Sequence, residues 1–221
     1  MKIYELLENK QNIIGSLVET IQRDCKPFLE HINYQVDHNV MYRGVGGRKS
    51  PPPSLLNPDA QLPLYPGHNP NRKSVDTPTY IHDGINDIFE KQFHCRFRNG
   101  VFATGSSLDA SSYGTPCIML PVGDFRFLWS PKVVDLFNEW EAFAREYTKT
   151  YGKGRDWQEV QNEFLRDVAA GVYDYTDTNL EAAIQSKHEI MLYSDHYYLL
   201  PTKNTAVVAA LKQIQKQGTT S

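Results

Sequence analysis

The sequence predicts a mixed α+β fold for this 221-residue chain. Short apolar runs typical of strands lie between longer segments with helical periodicity, and the two kinds do not alternate regularly as they would in a parallel βαβ protein. No internal repeat is present in the sequence. We therefore expect mostly antiparallel strands, with the helices gathered on one side of the sheet.

Composition and charge narrow the class of protein. Hydrophobic residues make up 40% of the chain and the formal net charge is −3, as in an ordinary globular domain. This weak acidity argues against a dominant nucleic-acid contact, which needs clustered lysine and arginine. The three cysteines form no C-x-x-C pair, the amino terminus lacks a signal peptide, and no apolar run reaches the ~18 residues of a membrane span. We expect a cytoplasmic protein without a membrane partner.

Helical periodicity opens and closes the chain. Apolar residues recur at helical spacing over residues 2–32, so residues 1–36 are predicted to form an N-terminal helical segment. Residues 37–216 form the predicted main domain, and residues 217–221 a disordered tail. Further helices are predicted from the Thr77-Pro78 pair to about residue 93, and over residues 132–149, 156–170 and 204–216.

Strands are predicted wherever an apolar run is bounded by turn residues. These runs cover residues 39–44, 100–104, 117–122 and 125–129, followed by a hairpin of 188–193 and 196–200 around Ser194-Asp195. Between them, residues 46–78 contain eight prolines and little periodicity, which predicts an irregular excursion. Long loops in compact domains are often functional, so this one is either solvated or folded over a ligand.

Three familiar kinds of site are disfavoured by residue spacing. The stretch GVGGRKS at residues 44–50 lacks the ending of a phosphate loop and runs into prolines instead of a helix. The histidines show no paired-ligand spacing, so no metal site is expected. A cysteine hydrolase using Cys117 or Cys95 with His82 stays open as an alternative, although Cys117 lies in an apolar strand, where a thiol is ordinarily inert.

Three motifs, taken in order, resemble the R-S-E class of mono-ADP-ribosyltransferases, the cholera-toxin-like enzymes. MYRG at residues 41–44 resembles the strand that supplies the arginine of that family, and VFATGS at residues 101–106 resembles its aromatic-x-Ser-Thr-Ser strand. HEIMLY followed by HYYLL resembles the strand that carries the family's glutamate, together with a hairpin partner. The resemblance covers residues 39–200 and implies a split antiparallel β-sandwich behind an N-terminal helical segment.

The resemblance also implies a reaction and a set of residues. Members of the family transfer ADP-ribose from NAD, their co-substrate, to an acceptor and release nicotinamide. Glu189 would be the catalytic carboxylate beside the ribose, and Thr104 would hold it. Arg43, with Gly44 beside it, would bind the NAD pyrophosphate. Tyr113 would stack on nicotinamide, whose amide Ser106 and Ser107 would reach.

Two departures bear on the acceptor. Thr-Gly-Ser replaces Ser-Thr-Ser, and Lys187 stands two residues before Glu189, where members that modify arginine have Glu. Small members of this pattern are carried by bacteriophages or bacteria, so a host protein is the expected acceptor, with nucleic acid or water as alternatives. Arg48, Arg72 and Lys73 of the excursion could cover the phosphates. An alternative from another functional class is a non-catalytic phage structural or binding protein that keeps a related fold.

Overall fold

The computed structural model describes residues 3–46, 62–74, 77–152 and 156–218. Within these ranges the chain forms eight α-helices, five strands and a short 3₁₀ turn at Phe97–Asn99. The helices are α1 (Ile3–Asp24), α2 (Lys26–His31), α3 (Thr79–Phe93), α4 (Ser107–Ser111), α5 (Leu136–Tyr151), α6 (Trp157–Ala169), α7 (Leu180–Ser186) and α8 (Thr205–Gly218). The strands are β1 (Met41–Val45), β2 (Leu64–Pro66), β3 (Val101–Thr104), β4 (Thr115–Trp129) and β5 (Glu189–Pro201).

All five strands pair antiparallel in one sheet. Its order is β2-β5-β3-β1-β4, and β4 also pairs with β5 along most of their length. The prediction of a mixed α+β chain with antiparallel strands and a helical N-terminal segment is therefore confirmed. Tyr42 lies opposite Thr104, and Thr104 lies opposite Glu189. The backbones of the three sequence motifs are thus brought side by side.

Two predicted strand breaks do not exist. The runs at 117–122 and 125–129 belong to one strand, β4, which continues through a register shift between Val122 and Phe125. Gly123, with a φ of +67°, accommodates that irregularity. The predicted hairpin is also wrong, because Ser194 pairs with Phe125 and the chain stays extended through β5.

The helices lie on both faces of the sheet, which corrects the expectation that they gather on one side. One hydrophobic cluster unites residues of α1, α2, α7 and α8 with strand residues such as Phe127 and Ile190. The other unites α3, α5 and α6 with Leu128 and Met191. Since neighbouring strand residues point to opposite faces, the two clusters cover opposite faces of the sheet where residues 127–129 pair with 190–192.

The N-terminal helices pack into the first cluster, and the proline-rich excursion contributes one strand. Residues Ile21 and Phe28 of the N-terminal helices are fully buried in the first cluster, and Asp24 accepts a hydrogen bond of 2.7 Å from the Tyr198 hydroxyl. Helix α8 continues to Gly218, and residues 219–221 of the predicted tail lie outside the described residues. The excursion contributes β2, while residues 47–61 and 75–76, including Arg48, are also outside them.

Candidate functional site

A cavity of about 730 Å³ opens where β1, β3 and the start of β5 meet the first turns of α3 and α5. Five of the candidate residues line it, and they come from four separate segments of the chain: Arg43, Gly44, Thr104, Tyr113 and Glu189. The sixth, Ser106, is not among the lining residues. Its hydroxyl accepts a 3.1 Å hydrogen bond from the amide of Asp109 and so caps α4.

Glu189 is a largely buried carboxylate that lines this cavity. Its side chain is 18% exposed, and Oε1 lies 3.4 Å from Nη1 of Arg98. Burial is the main cause that raises its pKa, to a net value of about 7; the negative charge of Asp135 contributes to the rise, whereas Arg98 and Arg72 oppose it. A carboxyl group with a pKa near neutrality can exchange a proton at physiological pH, which an exposed glutamate cannot do efficiently.

Arg98 is the residue that sequence reasoning missed. It lies in the 3₁₀ turn before β3, its side chain is only 7% exposed, and it lines the cavity. Besides Glu189, its guanidinium donates a 3.2 Å hydrogen bond to Thr77 Oγ1 and lies 4.8 Å from the ring centroid of Phe102. No motif marked this arginine, because its partner is 91 residues away in the sequence.

Two further guanidinium groups, those of Arg43 and Arg72, line the same wall of the cavity as Arg98. Arg43 donates a 2.8 Å hydrogen bond from Nη1 to the carbonyl oxygen of Phe102, which fixes the arginine along β3. Arg72 lies 4.3 Å from the centroid of the Phe102 ring and donates a hydrogen bond to the Gly100 carbonyl. Burial, together with the charges of Arg43 and Arg98, lowers the pKa of Arg72 to about 10. The wall therefore has an excess of positive charge suited to an anionic ligand.

Thr104 does not hold Glu189 directly. Its hydroxyl donates a 2.7 Å hydrogen bond to the carbonyl oxygen of Lys187 and accepts one of 3.2 Å from the amide of Ser106. Lys187 ends α7 with a positive φ of 64°. Thr104 therefore fixes the turn that leads into Glu189, and any effect on the carboxylate passes through the backbone.

Tyr113 lies at the cavity rim. The residue is 68% exposed, and its hydroxyl donates a 3.3 Å hydrogen bond to Oδ2 of Asp135. The segment that carries it lies directly against β1, because a Cβ on Gly44 would overlap the Ala110 carbonyl and the backbone of Tyr113. Glycine at position 44 therefore permits this close approach.

A cysteine nucleophile finds no support in this geometry. Cys117 and Cys95 are buried, neither lines the cavity, and burial raises the pKa of both thiols. His82 does line the cavity and is 2% exposed, and its pKa is lowered by burial and by Arg98. A thiol with a raised pKa provides little thiolate for attack at neutral pH.

No group of three or more His, Cys, Asp or Glu side chains in the described ranges is arranged to hold a metal ion. None of the helices in those ranges is long and apolar enough to cross a membrane.

No protein-family model, curated protein sequence or solved structure matches the chain.

Proposed function

We propose that the protein is an NAD-dependent mono-ADP-ribosyltransferase of the R-S-E class, which moves ADP-ribose to a host macromolecule and releases nicotinamide. The observation that carries this proposal is the convergence of Arg43, Thr104, Tyr113 and Glu189 on one cavity. These residues belong to sequence motifs spread over about 150 positions, and antiparallel pairing of β1, β3 and β5 brings three of them together. The same pairing is compatible with the split β-sandwich of that family, which is part of the proposal.

The chemistry needs a fixed negative charge beside the ribose. The bond between the ribose C1′ and the nicotinamide nitrogen breaks, the electron pair leaves with nicotinamide, and the ribose develops oxocarbenium character. Glu189 lies in a buried setting where a carboxylate stabilises such a cation by several kcal/mol. The acceptor then bonds to C1′ and gives up its proton, which Glu189 can take because its pKa is near 7.

The other residues bind and orient NAD. Arg43 and Arg72 provide planar donors for the pyrophosphate, which lysine would not match in geometry. Tyr113, exposed at the rim, would stack on the nicotinamide ring. Ser106 would serve only indirectly, since its hydroxyl caps α4. Thr104 would hold the backbone turn before Glu189.

A non-catalytic binding protein is the second candidate, and one observation favours it. Glu189 already has a cationic partner in Arg98, and such a pair can be a purely structural feature of a retained fold. In that case the cavity would bind a ligand without chemistry. The two functions differ in whether the bond to nicotinamide is broken.

The experiment that tests the proposal is incubation of the purified protein with NAD labelled in its adenylate portion and a bacterial lysate. We expect label on a lysate component and release of nicotinamide. Digestion of the labelled product with protease or nuclease then identifies the acceptor class. If label is not transferred and nicotinamide is not released from any mixture, the binding protein is the better description.

A further inference from the structure

Arg98 is held by contacts from several separate segments of the chain. Its main-chain amide donates a 2.9 Å hydrogen bond to Asn86 Oδ1, and its guanidinium is shared between Glu189 and Thr77. The aromatic face of Phe102 supports the group from the side. Turn, ion pair and ring together fix the guanidinium against the first residue of β5.

The arrangement is not that of a buried ion pair optimised for stability. Arg98 Nε is buried and has no hydrogen-bond partner in the described part of the chain. The nearby Arg96, in contrast, bonds to Asp87 and Glu90 at 2.7 and 2.8 Å on the surface. A buried donor without a partner is costly, and such groups in native structures are often associated with function.

The contact leaves half of the Glu189 carboxylate open. Arg98 is bonded to Oε1, and no hydrogen bond to Oε2 is found among the described residues. Two other charged groups influence the protonation of this carboxylate: Arg72 favours its ionised form, and Asp135 disfavours it. The buried Tyr175 hydroxyl is also nearby. Arg98 is the cation in direct contact.

We propose that Arg98 is the positioning residue of this site, and that its guanidinium fixes Oε1 of Glu189, favours the ionised carboxylate and leaves Oε2 for a ligand hydroxyl. The catalytic meaning of this role rests on the proposed function, whereas the ion pair and its effect on Glu189 do not. Arg98 itself takes no part in bond breaking.

The first test measures the Glu189 carboxyl group directly. In protein carrying ¹³C-labelled glutamate, the Glu189 carboxyl signal is identified by its loss in Glu189→Gln and is then followed against pH. We expect Arg98→Met to move the midpoint upward by about one to three pH units, because an opposite charge within a few ångströms has been removed. Arg98→Lys, which keeps the charge, should move it less. Arg96→Met is the matched control and should leave the midpoint unchanged.

Thr77→Val offers a milder change, because it keeps the shape of the side chain and removes only the acceptor for Nη2. We expect a shift in the same direction as for Arg98→Met but smaller. If Arg98→Met does not fold, Arg98→Lys and Thr77→Val carry the test. An unmoved midpoint in every folded variant at Arg98 and Thr77 would overturn the proposal.

The second test follows label transfer from NAD against pH. For Arg98→Met we expect a loss of about ten- to a hundredfold in kcat at pH 7 that recovers above the raised midpoint, because Glu189 ionises there. Arg98→Lys, whose midpoint moves less, should lose less activity and recover at a lower pH. A purely structural role predicts an equal loss at every pH, which would contradict the proposal. If the parent protein transfers no label at all, the proposed function fails, and the carboxyl titration still decides whether Arg98 controls Glu189.

Discussion

Gly105 is one of the two residues, with Thr104, at which Thr-Gly-Ser departs from Ser-Thr-Ser, and the structure gives a packing reason for it. A Cβ at this position would overlap the Ile184 carbonyl in α7. We expect Gly105→Ala to reduce the free energy of unfolding by about 1–3 kcal/mol, because backbone atoms cannot move aside as a flexible side chain would. Denaturant unfolding measures this loss.

The matched control is Gly15→Ala in α1, where nothing lies within 4 Å of an added Cβ. Alanine is a better helix former than glycine, so this variant should gain about 0.5–1 kcal/mol. Equal stability of Gly105→Ala and the parent would show that α7 does not approach Gly105 as closely as described.

At the residue scale, the sequence could predict which strand ends contribute side chains to the cavity, but not how they contact one another. Arg43, Thr104 and Glu189 were found from local motifs and do line one cavity. The partner of Glu189 could not be found in this way. Arg98 reaches it through a turn and a register that only the folded sheet defines, so its sequence neighbourhood shows no signal.

At the element scale, packing of α5 against α6 builds the core behind the glutamate strand. Trp140 is 1% exposed, and its ring lies 5.2 Å from Phe164 and 5.5 Å from Trp157, centroid to centroid. We expect Trp140→Ala to lower the free energy of unfolding by about 3–5 kcal/mol, since it leaves a large cavity. Trp157 is 51% exposed, so Trp157→Ala should cost about 1 kcal/mol or less.

Chemical denaturation followed by circular dichroism gives both values. Tryptophan fluorescence would change with the substitutions themselves and is avoided. Similar losses for the two variants would contradict the assignment of Trp140 to the core and Trp157 to the surface.

Predicted elements with long periodicity agree with the structure better than predicted turns do. Helices α3, α5, α6 and α8 lie within a few residues of their predicted positions. The Ser194-Asp195 pair looked like a hairpin turn because serine and aspartate favour turns locally. Pairing with β4 on one side and the backbone of Gly67 on the other keeps that segment extended, and such tertiary pairing overrides local preference.

At the scale of the whole molecule, the pH dependence of stability should reveal the buried carboxyl group. Glu189 has a pKa of about 7 in the folded state, against an ordinary value of 4.5. Between these two pH values the folded protein holds a proton on Glu189 that the unfolded chain has released. Its contribution to stability is therefore present below pH 4.5 and lost as the pH rises through 7. Between pH 4.5 and about 7, this contribution to the free energy of unfolding falls by roughly 3 kcal/mol.

The comparison with Glu189→Gln isolates this group, because glutamine does not titrate and every other group is shared. We expect the variant to become more stable relative to the parent as the pH rises from 4 to 8. Thermal or urea unfolding at several pH values gives the difference. A difference that stays constant with pH would show that Glu189 is not buried.

The placement of helices on both faces of the sheet could not be predicted from the sequence. Amphipathic periodicity shows that a helix has one buried side, but it does not say which face of the sheet that side covers. Only the alternation of Leu128 and Met191 with Phe127 and Ile190 between two cores reveals the arrangement. Strand runs that are apolar on both faces, such as residues 127–129 and 190–192, are the sequence feature that fits a doubly covered sheet.

The measurement that tests the proposed transferase most directly is NAD binding and label transfer in the same Glu189→Gln preparation. Glutamine keeps the size and hydrogen bonding of the side chain and removes the charge facing the ribose. We predict that NAD raises the melting temperature of the variant about as much as that of the parent, while transfer falls by about 10²–10³. Glu141→Gln, on the exposed side of α5, should behave as the parent does. A Glu189→Gln protein that still transfers label at the parent's rate would contradict the proposed function.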